Sequence, residues 1–107
     1  MIEANTDGGN VFHQIARELA DQADAEAAAR HPNIARTCAE LGLLYMAFAT
    51  HSPTGEHGDK AWRAAEDARS LLAEGAALGA AAEIALARLH LSLDLLDGRL
   101  SAVTPKL

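Results

Sequence analysis

Aromatic residues make up only 4% of this 107-residue chain: one Trp, one Tyr and two Phe. β-Branched aliphatics are almost as scarce, at four Ile and two Val. A β-sandwich or barrel draws its core from those residue types, so an all-β fold is excluded. Cysteine is reduced to Cys38, which excludes an internal disulfide and fits a reducing compartment. No run of about 18 uncharged apolar residues occurs, so no membrane span is expected. The start, Met1-Ile2-Glu3-Ala4, has neither the positive residues nor the apolar run of a secretory signal. The chain is read as cytoplasmic. Positive charge is also short: nine bases stand against 15 acids, for a net charge of −6, and the bases form no cluster. Binding to nucleic acid or to a membrane surface is therefore not expected.

Alanine and leucine fill the space that the other apolar residues leave, with 25 Ala and 15 Leu. That composition favours helix and supplies enough apolar surface for a core. The length is that of one domain. Residues 1–10 read as a flexible lead, 11–100 as a single helical domain and 101–107 as a C-terminal tail. Asn10 is placed to cap a first helix running from Val11 to about Arg30. At ~100° per residue, Phe12, Ala16, Leu19 and Ala23 share its apolar side. His31-Pro32 breaks that helix and starts a second, from about Pro32 to Thr50. Its seam is Ile34, Cys38, Leu41, Tyr45 and Phe48, with Ala39, Leu43 and Met46 roughly opposite, so it reads as mostly enclosed.

Residues 51–59 read as a loop, with Asp59 capping a third helix. Gly79 is expected to end that helix in a left-handed cap. A fourth helix then runs from about Ala80 to Asp97 and stops at Gly98. It carries two apolar stripes on nearly opposite sides. Leu86, Leu89, Leu93, Leu96 and Leu100 form one; Ile84, Ala87, Leu91 and Leu95 form the other. A shift of 48 residues superposes Ala25-Glu26 on Ala73-Glu74, Ala28-Ala29 on Ala76-Ala77, and Leu41 and Leu43 on Leu89 and Leu91. Both halves then read as surface helix, tight turn, enclosed helix. The period exceeds the tetratricopeptide unit of about 34 residues.

Catalytic motifs are absent. No Glu stands three residues before any of the five histidines, as a di-iron bundle requires, and no phosphate-binding loop or His-Glu-x-x-His is present. Two polar groups remain. His51, Glu56, His57 and Asp59 share the loop, where imidazoles and carboxylates are the ligands of zinc or nickel. Glu83, His90 and Asp94 line one side of the fourth helix, the geometry in which a carboxylate orients an imidazole. Such residues more often form solvated loops and polar stripes, so no metal or cofactor is assigned. Cys38, on an apolar seam, is expected to be inert, and Tyr45 and Trp62 to anchor the core.

The expected fold is all-α: a four-helix antiparallel bundle built from two helical hairpins, the first and third helices covering the second and fourth. The expected function is that of a small non-enzymatic protein–protein interaction module, a homodimer, or a module that binds another protein. The candidate interface residues are Leu86, Leu89, Leu93, Leu96, Ile84, Leu91 and Leu95, because one stripe of the fourth helix exceeds what its own bundle can cover. The alternative is a bundle that binds a small molecule or metal through the loop histidines or the Glu83/His90/Asp94 stripe.

Overall fold

A computed structural model describes residues 8–103 as four helices: α1 (Gly8–Ala28), α2 (Pro32–Thr50), α3 (Gly55–Ala73) and α4 (Ala77–Val103). Helices α1 and α2 form one hairpin and α3 and α4 the other, and α2 also packs on both helices of the second hairpin. The architecture is the all-α bundle of two hairpins that composition and periodicity lead one to expect.

The breaks between helices follow from the backbone. Arg30 takes a left-handed φ of 66°, and the His31 N–H donates to the Glu26 carbonyl at 2.8 Å, closing the end of α1. Pro32 then supplies a first helical residue that needs no N–H partner. The same closure recurs after α3, where Gly75 takes φ 78° and the Ala76 N–H donates to the Leu71 carbonyl at 2.8 Å. Gly75 is thus the stop, and Gly79, expected in that role, lies inside α4. Residues 60–97 form two helices because the chain turns left-handed at Gly75, where the absence of a Cβ removes the strain of that conformation.

Three other boundaries move. Helix α1 begins at Gly8, so Asn10 lies inside it, not before it. Helix α4 runs through Gly98 to Val103, since one exposed glycine costs a helix only about 1 kcal/mol. Helix α3 begins at Gly55, with Thr54 as the residue before it, so Glu56, His57 and Asp59 are helical rather than loop. Residues 1–7 of the expected lead and 104–107 of the expected tail lie outside the described residues.

The four aromatic side chains meet in one place. The Phe12 ring lies 5.4 Å from Phe48 and 5.2 Å from Trp62, and Tyr45 stands edge-on to Phe48 at 5.5 Å. They join α1, α2 and α3 at offset, edge-to-face geometries that suit aromatic quadrupoles. The Tyr45 hydroxyl donates to Glu66 Oε2 at 2.7 Å. Burial, followed by Glu66, pushes that hydroxyl well above its ordinary range. The rest of the core is small. Ala61, Ala64, Ala65 and Ala68 of α3 and Ala80 and Ala87 of α4 are buried and let α2 approach the second hairpin closely.

Cys38 is fully buried among these residues. Burial, and secondarily the charge of Glu26, pushes its thiol up. Alkylation of the native protein should therefore be slower than in denaturant by roughly a hundredfold or more, because the core must open first. Equal rates in a stopped thiol assay would contradict this placement of the α2 seam.

Candidate functional site

Two polar groups that sequence spacing keeps apart are brought together where the α2–α3 turn crosses α4. Asp94 is buried at 7% exposure, one of few charged side chains so placed among the described residues. Its Oδ2 accepts the Thr54 backbone N–H at 3.0 Å, and its Oδ1 accepts the Thr54 hydroxyl at 3.2 Å. His51 Nε2 stands 3.3 Å from the same Oδ2. The carboxylate thereby satisfies the backbone donor at the start of α3, a group that a helix leaves without an internal partner. Gly58 makes room for this closure. A Cβ there would lie 2.8 Å from the Pro53 carbonyl carbon and 3.2 Å from Asp94 Oδ2.

One turn back on α4, His90 Nδ1 lies 2.9 Å from His57 Nδ1 of α3, with the rings nearly parallel and 5.1 Å apart. A hydrogen bond between two ring nitrogens needs an N–H on one and a bare nitrogen on the other. Of the loop group, His51 and His57 thus join His90 and Asp94 of α4. Glu56 instead pairs with Lys60 at 3.4 Å on the surface, Asp59 is exposed, and Glu83 is half-buried. Among the described residues, no three His, Cys, Asp or Glu side chains converge so as to hold a metal ion. What the arrangement does chemically is fasten the turn and the start of α3 to α4.

The candidate interface residues divide between the two sides of α4. Ile84 and Leu91 are buried, at 2% and 6% exposure, and Leu95 is partly buried against the same core. Leu86, Leu89 and Leu96 point outward at 45%, 55% and 48%, and Leu93 is half-buried between them. The Leu100 side chain lies outside the described residues. Helix α4 is therefore covered on one side only, not enclosed, because among the described residues α2 and α3 are its only neighbouring helices.

A second apolar surface lies on the first hairpin. An open groove of about 490 Å³ runs between α1 and α2, floored by Ala16, Ala20, Ala23, Ala39 and Gly42. Leu43 and Met46 stand on its wall, with Leu43 71% exposed. Helix α2 was expected to be mostly enclosed, yet this side is open, since α1 covers only part of its girth. The signal was the second apolar set on α2, opposite the seam. Comparison with family models, with curated protein sequences and with solved structures finds no match to this chain. Among the described residues, no helix is long and apolar enough to cross a membrane.

Proposed function

We propose that the chain is a non-enzymatic helical interaction module that binds a second copy of itself through the outer face of α4, a homodimer being the smallest such assembly. The observation that carries this reading is the row Leu86, Leu89, Leu93 and Leu96, which lies on the side of α4 away from Ile84 and Leu91. Each leucine taken fully out of water gains about 1.5–3 kcal/mol, and a continuous apolar patch of this kind is how interfaces are marked. The 3-4-3 spacing of that row is the spacing of a helix–helix seam. The polar cluster supports the same reading by default: Asp94, Thr54 and His51 are engaged with one another in holding the turn. A single buried thiol suits a cytoplasmic setting.

A pair of substitutions tests the proposal. Leu89→Lys places an ammonium on the exposed row and should leave the helical circular dichroism and melting intact while abolishing self-association. Leu91→Lys buries the same charge in the core and should abolish cooperative melting. A folded Leu89→Lys chain with the wild-type mass in light scattering would remove the α4 face from the contact.

A further inference from the structure

The 48-residue repeat relates buried positions of one hairpin to positions of the other that are mostly exposed, Ala16 being buried and Leu93 half-buried. On α2 the ridge that enters the second hairpin is Cys38, Leu41, Tyr45 and Phe48, each fully buried. Forty-eight residues on, those positions are Leu86, Leu89, Leu93 and Leu96, the outward row of α4. The reverse holds for the surface that receives the ridge. In the second hairpin, on which α2 packs, Ala64, Ala68, Ala87 and Leu91 are buried in the same core cluster as the α2 ridge. Forty-eight residues earlier stand Ala16, Ala20, Ala39 and Leu43, which line the open groove between α1 and α2. Three of these four pairs are alanine in both halves and the fourth is leucine in both.

From this correspondence we infer that the groove between α1 and α2 of one copy is the seat for the leucine row of α4 of another copy, so that chains stack head to tail. The inference rests on the reading of α4 as a self-association surface. Each copy then repeats, between chains, the contact that α2 makes with the second hairpin inside the chain. The match is of the same kind in both places: a furrow of small side chains admits a ridge of large ones. The ridge and the groove lie on the outward sides of the two hairpins. On α4 the leucine row is opposite Ile84 and Leu91; on α2, Ala39, Leu43 and Met46 are turned well away from the Leu41/Phe48 ridge. A contact between unlike surfaces on opposite faces does not close on a two-fold axis, so the stack continues beyond two chains or closes as a ring. In arrays of stacked hairpins the ends are normally closed by polar faces, and here both ends are apolar.

Mixing two disabled chains tests the arrangement. Leu89→Lys disables the ridge. Ala20→Arg fills the groove at an exposed position, and Leu43→Lys, also exposed, is a second way to disable it. Sedimentation velocity of the wild type should show mass growing past two chains as concentration rises. Each variant alone should remain a folded monomer by mass and circular dichroism. An equimolar mixture of Leu89→Lys with either groove variant should give a complex of two chains and no larger species, because one intact ridge meets one intact groove. If the wild type assembles but the groove variants assemble equally well, the row pairs with something other than the groove and the inference fails while the α4 interface stands. A wild type that stays monomeric removes both.

Discussion

Phe48→Ala is expected to destabilise the protein by about 3–5 kcal/mol, a large share of the roughly 5–15 kcal/mol that holds a domain together. The ring is fully buried, and it touches three of the chain's other aromatic side chains: Phe12, Tyr45 and Trp62, at centroid distances of 5.4, 5.5 and 6.1 Å. The chain contains no further aromatic residue to move into the space, and the surrounding alanines are too short to collapse into it. The transfer cost of the ring and the cost of the cavity therefore add. Trp62 lies at the edge of the cluster, so its fluorescence should report the loss directly in a urea titration. A midpoint unchanged from wild type would mean that the aromatic cluster does not join α1, α2 and α3.

Asp94→Ala is expected to cost about 2–3 kcal/mol, because it removes a buried carboxylate that accepts hydrogen bonds from the Thr54 N–H and hydroxyl. For a domain of this size that corresponds to a fall in melting temperature of roughly 10–20 °C. Asp94→Asn retains an acceptor oxygen for the backbone N–H and should lose less than the alanine variant. The two variants together separate hydrogen bonding from packing. An alanine variant that melts within a degree or two of the wild type would show that Asp94 does not hold the turn.

The hairpin architecture was legible because helical periodicity and Pro32 act locally. The 4-3 seam of α2 and the two stripes of α4 follow from spacing alone, and α2 begins and ends at the expected Pro32 and Thr50. The start of α3 was not legible. Asp59 has the chemistry of a cap, but the donor at the actual start, Thr54, is satisfied by Asp94, forty residues away. The joining of the loop histidines with the α4 stripe is hidden for the same reason: His57 meets His90 only once the second hairpin has closed. Gly75 prevailed over Gly79 because the chain needs one left-handed residue directly after α3, and composition does not say which glycine provides it. The two stripes of α4 were equivalent in sequence. Contact with α2 and α3 separates them, burying Ile84 and Leu91 and leaving Leu86, Leu89 and Leu96 outward.

Self-association through the outer face of α4 is tested most directly by sedimentation equilibrium of the wild-type protein from low to high micromolar concentration. The expected weight-average mass rises with concentration above the 11.2 kDa of one chain, and falls back to it in the Leu89→Lys variant. A wild-type mass fixed at 11.2 kDa across that range would contradict it.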